Sequence, residues 1–333
     1  MFCLFRKVYI NKIFGIYIMS HLSEKTLTTY RSTINSLYKK IGLGDTAPID
    51  SGKWIETNFK KIMDYIGAMK SDFSKKNNIA ILKVWSDMFE LPDKILGILD
   101  KRMGELSDAV NSTYATNTMN PKVADNWVGV DGMKEKVEYL RQKLPDLSAI
   151  DTYKEYMMLI KYLALLIHIN CPMRNDLADA KLVTALPAKQ DENINYILIG
   201  KRTGEATIYL NNFKTKKEYA EKIIKLPTEV AREIIKYSDV IARMSPHGWF
   251  IGKDGIDAPI SRPTYTKLIN SIFSGDGVKV GSTQIRRAVV SDLYKVDEDE
   301  MAKKQALANT MQHSVATAGL VYAKHIPDKL KGK

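Results

Sequence analysis

The chain has 333 residues, 45% of them hydrophobic and 26% charged, which is enough for about two domains of ~150 residues each. This balance excludes disordered, fibrous and repeat architectures. Two cysteines exclude a disulfide framework or a cysteine-built zinc site, and the scattered histidines suggest no other metal site. The net charge of +12 favours a polyanionic partner, most often nucleic acid. No P-loop, nucleophile elbow or dinucleotide-binding glycine motif is present, so NTPases, α/β-hydrolases and dinucleotide oxidoreductases are not favoured.

The N-terminal segment, residues 1–19, is apolar and aromatic with interspersed basic residues. It is too short and too charged for a transmembrane helix. It also lacks the clean apolar core and the cleavage site of a signal peptide. Because Met19 precedes a well-formed helical pattern, we interpret residues 1–19 as an extension ahead of a second candidate translation start. We expect a soluble, intracellular protein located wherever its partner resides, in the host nucleus or cytoplasm.

A helical period begins next and continues to about residue 115. In the first run, apolar residues recur at steps of three and four, at Leu27, Tyr30, Ile34, Leu37 and Ile41. Three further runs follow, and Pro92 separates the last two. These patterns predict a compact four-helix domain over residues 20–117. The following residues, 118–130, are polar and contain a proline, which is typical of a linker.

The remaining region, residues 131–333, mixes two periodicities. The spacing of apolar residues predicts helices over residues 131–143, 152–169, 227–244, 262–273, 283–294 and 299–311. Short β-like runs lie at residues 196–199, 206–210 and 222–226. We therefore predict a mainly α protein of two domains, with a small antiparallel β-sheet inside the C-terminal domain.

Several polar residues of the second domain are candidates for chemistry. They are Arg174 after an apolar helix, Lys214 in a predicted β-turn, Arg286 on a helix, His313, and Tyr322 nine residues further on. Each has an ordinary structural explanation. Arginine often caps a helix or meets a carboxylate, turn lysines are usually solvated, and single histidines and tyrosines usually pack in cores. Taken together, the order of these five residues along the chain has a better explanation than five separate structural roles.

This order resembles the catalytic domain of tyrosine recombinases, the phage-integrase family. The most specific part is the segment from His313-Ser to Tyr322, and Gln284-Ile-Arg-Arg-Ala-Val-Val-Ser291 resembles the second arginine box of the family. The turn that contains Lys214, together with the later segment Ile-Ile-Lys-Leu-Pro at residues 223–227, resembles the family's strand–turn–strand element. The resemblance covers about residues 22–323, and the wording around Arg174 also suggests closeness to integrases of large DNA viruses or their parasites.

Two positions depart from the family pattern. Thr283 occupies the position that is usually histidine or lysine, and a threonine hydroxyl is neither acid nor base near neutral pH. Asp176 comes two residues after Arg174, whereas the usual acidic residue comes three later. The choice of lysine is also open: we favour Lys214, with Lys216 as the runner-up.

The resemblance implies strand cleavage and rejoining through a 3′-phosphotyrosyl intermediate, without a cofactor or metal. Tyr322 would be the nucleophile, Arg174 and Arg286 would hold the phosphate oxygens, His313 would assist, and Lys214 would protonate the leaving 5′-oxygen. The helical N-terminal region of the chain resembles the core-DNA-binding domain of the family.

The partner that the resemblance implies is double-stranded DNA, bound by a homotetramer with an accessory DNA-bending protein, and no membrane. Two alternatives stay open. One is a type IB topoisomerase-like enzyme that relaxes DNA with the same nucleophile. The other is a DNA-binding protein without catalysis, for which Thr283 is the main support.

Overall fold

The structure is a computed structural model that describes residues 22–48, 51–116, 119–214, 216, 222–294, 307–308, 310–311 and 317–323. The chain divides into two compact units, Met1–Thr116 and Asn117–Lys333. The predicted extension over residues 1–19 and most of the predicted helix over residues 299–311 lie outside the described residues. The predicted domain boundaries at 20–117, 118–130 and 131–333 stay predictions.

The first unit contains the four helices that the sequence predicts: α1 (Glu24–Lys40), α2 (Lys53–Gly67), α3 (Asp72–Met88) and α4 (Asp93–Ala115). Serine side chains cap two of them. Ser23 accepts a hydrogen bond from the Thr26 amide at the start of α1, and Ser71 does the same for the Ser74 amide at the start of α3. Such caps satisfy amide groups that have no partner inside the helix.

One face of each of these helices forms the core of this unit. Its members are branched apolar residues at helical spacing, and the fully buried ones include Ile55, Ile62, Ile79, Leu82 and Leu99. The helical period of the sequence therefore corresponds to the buried face, which confirms its interpretation as a small helical bundle.

Residues 119–130, predicted as part of a linker, are packed on the second unit. A short helix, α5 (Pro121–Asp125), is capped by Asn120, and Trp127 is only 4% exposed within the large core. Val123 also packs against that core. The few apolar residues of this polar stretch face inward, and composition alone does not show this.

The second unit is built around one buried helix. This helix, α7 (Tyr153–Asn170), follows α6 (Val130–Lys143) and begins at a capping box between Thr152 and Glu155. Its residues are buried on nearly every side, including Tyr156, Leu159, Ile160, Leu163, Ala164 and Ile167. Pro172 follows the helix end, and a proline there prevents its continuation.

A four-stranded sheet contributes to the same hydrophobic core, in the order β1 (Ala180–Val183), β2 (Asn195–Gly200), β3 (Glu205–Leu210) and β4 (Lys222–Lys225). The three predicted strands are present and antiparallel. The sheet is nevertheless mixed, because β1, which the sequence did not predict, pairs parallel with β2. Gly204 adopts a positive φ of 71° in the tight turn between β2 and β3, a conformation that glycine adopts without strain.

Among the described residues, the rest of the second unit is mainly helical and includes a small two-stranded sheet. The elements are α8 (Thr228–Lys236), α9 (Ser238–Met244), β5 (Gly252–Lys253), β6 (Ile256–Pro259), α10 (Arg262–Ile272), α11 (Ser282–Leu293) and a π-helical turn at Ala318–Tyr322. The prediction of a mainly α fold with a small sheet is confirmed. In the described part of the chain, no helix has the length and apolar character needed to cross a membrane.

Candidate active site

Two of the predicted site residues, Arg286 and Tyr322, are in contact. Arg286 lies in α11, and Tyr322 is the last residue of the π-helical turn. The guanidinium carbon of Arg286 is 5.4 Å from the centre of the Tyr322 ring. The two residues are 5% and 7% exposed, so the contact is almost fully removed from water. A cation held against a phenol ring in such a place interacts more strongly than it would at the surface.

Two hydrogen-bond donors of Arg286 have no partner among the described residues. Its Nη2 donates to the hydroxyl of Thr283 at 3.2 Å, whereas its Nε and Nη1 are buried and have no hydrogen-bond partner among the described residues. Burial lowers the pKa of Arg286 below its ordinary value, and the nearby charge of Tyr322 opposes this shift. A buried guanidinium with unused donors suits a ligand that brings negative charge into the site.

Arg174 follows the end of α7 and lies in the same region. It precedes a short 3-10 helix, Asn175–Asp179, in an extended backbone conformation. Its positive charge contributes to lowering the pKa of Arg286, so the two predicted arginines lie within electrostatic range of each other. Asp176 is 1% exposed beside them, and burial raises the pKa of its carboxyl group.

The predicted lysines lie in the connection between β3 and β4. Lys214 is exposed just beyond the buried Phe213, and Lys216 is within 3.7 Å of Glu192 in an exposed ion pair.

Sequence reasoning missed a third lysine, Lys222, at the start of β4. It pairs with Leu210 and shares the buried face of the sheet with Ile224. Burial lowers the pKa of Lys222 to about 8, and the positive charge of Arg174 adds to the shift. The signal was available, because alternation along the strand places Lys222, Ile224 and Leu226 on one side.

A buried amide network joins the segment that carries Arg174 to the one that precedes Lys214. Its centre is Asn195, which is fully buried at the start of β2. The Nδ2 group donates to the Asp176 carbonyl at 2.8 Å and to Asp179 Oδ1 at 3.0 Å. Its Oδ1 accepts from the amides of Asn211 and Asn212, both at 2.8 Å.

Arg262, at the start of α10, completes this network. Its Nη2 donates to the Asn212 carbonyl at 2.8 Å and to Asp179 Oδ2 at 3.0 Å. The network therefore fixes the chain leading to Lys214 against the chain that follows Arg174.

The last two predicted positions are Thr283 and His313. Thr283 is exposed at the start of α11 and receives the hydrogen bond from Arg286 described above. His313 lies outside the described residues. The second unit also holds a different histidine, His168, which is fully buried with its Nε2 2.8 Å from the Tyr265 hydroxyl. Burial and the positive charge of Arg286 lower the pKa of His168 to about 3, so it is neutral near pH 7.

The described residues thus bring together a phenol, two arginines and a partly buried lysine. They contain no group of three or more histidine, cysteine, aspartate or glutamate side chains that could hold a metal ion. Such a group of positive donors, one of which contacts a phenol ring, is suited to binding a phosphate and to stabilising the negative charge that develops on it.

No protein-family model matches the sequence, and no curated protein matches it either. The fold is similar to a solved structure of XerA recombinase, at a TM-score of 0.42 and 14% identity, covering 98% of this chain and 96% of that one. It is also similar to a lambda integrase dimer bound to a COC′ core site, at a TM-score of 0.47 and 14% identity, covering 92% and 75%.

A third similar structure is XerH site-specific recombinase bound to its difH substrate, at a TM-score of 0.45 and 10% identity, covering 93% and 91%. These three neighbours are two recombinases and an integrase. The likeness is distant and concerns the fold alone. The suggested closeness to viral integrases stays a prediction.

Proposed function

We propose that this chain is a DNA strand transferase that cleaves and rejoins duplex DNA through a covalent bond to Tyr322. The observation that carries the proposal is the buried contact between Arg286 and the Tyr322 ring. The guanidinium of Arg286 is fixed beside the ring whose hydroxyl attacks phosphorus, so it places positive charge next to the reacting groups. The unused Nε and Nη1 donors of Arg286 are suited to a phosphate oxygen beside that phenol.

In the proposed step, Tyr322 Oη forms a bond to phosphorus and the bond between phosphorus and the 5′-oxygen breaks. The phenolic proton passes to water, and Lys214 donates a proton to the leaving 5′-oxygen. The product is a 3′-phosphotyrosyl bond and a free 5′-hydroxyl. Attack by a 5′-hydroxyl of another strand reverses the step, so the bond energy is kept and no nucleotide cofactor is consumed.

The two arginines act on the transition state, in which negative charge grows on the non-bridging oxygens. Arg174 and Arg286 each offer a planar set of donors that stays protonated, and positioned donors of this kind typically contribute about 10²–10³ in rate each. His313 donates a further hydrogen bond, and the Thr283 hydroxyl, which accepts from Arg286, donates to phosphate. Lys222 adds positive charge next to Arg174.

The proposed partner is double-stranded DNA. Recombination requires two duplexes, so we propose a homotetramer assembled on DNA, with an accessory protein that bends it. The net charge of +12 supports a polyanionic partner, and we expect the affinity to fall steeply with salt.

The proposal is tested by covalent trapping on a pool of nicked duplexes of randomised sequence. A nick just beyond the cleaved phosphate lets the short 5′-hydroxyl strand diffuse away, so the covalent complex accumulates and resists denaturant. We expect complexes with the parent chain and none with Tyr322→Phe. Tyr294→Phe is the matched control, because Tyr294 packs against the same small cluster as Tyr322, and it should retain trapping.

The alternatives give other results. Salt-sensitive binding without any covalent complex would contradict the proposal and support a binding-only protein. Covalent complexes accompanied by relaxed circles, but by no joining of partner strands, would support a topoisomerase-like enzyme instead.

A further inference from the structure

A basic groove lies next to the candidate active site within the second unit. It has a volume of about 310 Å³ and lies between the segment that contains α5 and the start of α11. Three cationic residues line it, Lys122, Lys279 and Arg287. No aspartate or glutamate lines it among the described residues. We call this surface the α5–α11 groove.

The cations of the α5–α11 groove are not engaged in ion pairs among the described residues. Lys122 and Lys279 are exposed and close no ion pair there, and Arg287 carries a buried Nε without a hydrogen-bond partner. Elsewhere in this unit, exposed lysines such as Lys134 and Lys201 do pair with aspartates. An unneutralised concave surface of one sign attracts a polyanion.

The groove is preformed by its own hydrogen bonds. The side-chain oxygen of Asn126 accepts from the Lys279 amide at 2.6 Å, and its carbonyl accepts from Gln284 Nε2 at 3.2 Å. These bonds tie residues near α5 to the start of α11 across more than 150 positions of sequence. The backbone segments that carry Lys122 and Lys279 are thus fixed to each other by hydrogen bonds of the protein itself.

The groove also connects to the candidate active site. Thr283 lines it, and Thr283 accepts the hydrogen bond from Arg286, which in turn contacts the Tyr322 ring. The groove is therefore adjacent to the position that a phosphate bound at Tyr322 would occupy. Phosphates repeat along a strand with one negative charge each, which matches a row of cations better than a single anion does.

We infer that the α5–α11 groove binds the sugar–phosphate backbone of the cleaved strand next to the reacting phosphate, with Lys122, Lys279 and Arg287 as its phosphate contacts. This inference rests on the proposed function. Such backbone contacts fix the position of the duplex on the protein and do not depend on its base sequence. Lys122 lies in the segment predicted as a linker, which thereby becomes part of the binding surface.

The test compares two double variants that remove the same charge. Lys122→Gln/Lys279→Gln alters the groove, and Lys154→Gln/Lys253→Gln alters two exposed lysines outside it. Binding of a fluorescent duplex of arbitrary sequence is measured between about 50 and 200 mM salt, a range over which the affinity of phosphate contacts falls steeply. We expect the slope of log K against log salt to become shallower by about 2 in the groove variant and to stay near the parent value in the control.

Equal slopes for the two double variants would overturn the inference, because they would show only a general charge effect. That outcome is distinguishable from failure of the proposed function. If the parent chain traps DNA covalently but the two slopes are equal, only the inference about the groove is rejected. If the parent chain binds duplex DNA without trapping it, the proposed strand-transferase function is rejected. Both variants change exposed side chains, so a thermal unfolding curve like that of the parent is expected for each.

A second measurement locates the contact. After trapping has identified the cleaved phosphate, neutral methylphosphonates replace its neighbours one at a time. Replacement of a phosphate in the groove should weaken binding of the parent chain and leave the affinity of Lys122→Gln/Lys279→Gln nearly unchanged. The absence of such coupling at every neighbouring phosphate would contradict the inferred position.

Discussion

Replacing Arg286 by methionine should stabilise the fold while it abolishes strand cleavage. Arg286 buries two donors, Nε and Nη1, that have no hydrogen-bond partner among the described residues. Each such donor costs about 1–3 kcal/mol of folding free energy. Methionine has a similar length and removes both donors together with a buried charge.

The gain is reduced by what the substitution loses. The hydrogen bond from Nη2 to Thr283 is worth about 1 kcal/mol, and the contact with the Tyr322 ring is worth roughly 1–2 kcal/mol when it is shielded from water. A net stabilisation of about 2 kcal/mol remains. For a unit of this size, this corresponds to a rise in melting temperature of about 4–8 °C.

The assay is chemical denaturation and calorimetry of Arg286→Met beside Arg232→Met, which makes the same change at an exposed position of α8. We expect the control to change stability by less than about 0.5 kcal/mol. Trapping of covalent complexes should fall at least about 10²-fold in Arg286→Met. A destabilisation greater than about 1 kcal/mol would refute the reasoning, because it would mean that the fold itself satisfies this guanidinium.

Three further predictions follow from the neighbouring groups. Asn195→Ala should cost about 3 kcal/mol and accelerate exchange of the Asn211 amide, which hydrogen-bonds to Asn195, and unchanged exchange would contradict the network. His168 titrates at about 3 when folded and near 6.5 when unfolded, so the unfolded chain binds more protons between these values and stability falls as pH drops below 6.5. The loss from pH 7 to pH 5 should be about 2 kcal/mol greater in the parent than in His168→Gln, and equal losses would be contrary to this assignment. Lys214→Ala should lose cleavage of ordinary DNA yet cleave a 5′-bridging phosphorothiolate at nearly the parent rate. The reason is that a thiolate leaving group, whose thiol has a pKa near 8.5, needs no acid to protonate it. If the phosphorothiolate rescued Lys222→Ala instead, Lys222 would be the general acid.

The features that the sequence predicted well are those with local signals. The helical period at Ile34, Ile55, Ile62 and Leu82 identified the buried faces of the first unit, because side chains three or four positions apart share one side of a helix. The strand pattern around Ile197 was equally informative. Two residues of the candidate site, Arg286 and Tyr322, were chosen from their order along the chain, and the structure brings them into contact.

The features that were missed depend on contacts between distant residues. Strand β1 has only four residues and pairs in parallel with β2, so no local alternation marks it. The hub role of Asn195 depends on Asp179 and Asn212, which only folding brings near. Lys222 was readable in principle from strand alternation. A lysine at the end of a strand is nevertheless usually solvated. The pKa of Lys222 is lowered first by burial and then by the charge of Arg174, and both effects arise only on folding.

The linker prediction illustrates the same limit. The segment over residues 118–130 is polar on average, yet Trp127 is buried and Asn126 bonds to residues far along the chain. An average over composition cannot distinguish a solvated connection from one whose few apolar residues all face one core.

The central claim is that Tyr322 carries the DNA, and peptide mapping of the trapped complex tests it most directly. The complex is digested with nuclease and trypsin, and the peptide that retains a nucleotide is sequenced by mass spectrometry. Residues 305–324 form a single tryptic peptide in which Tyr322 is the only tyrosine. We predict that the nucleotide is found on this peptide, at Tyr322. A nucleotide on any other residue, or its absence from every peptide, would contradict the account.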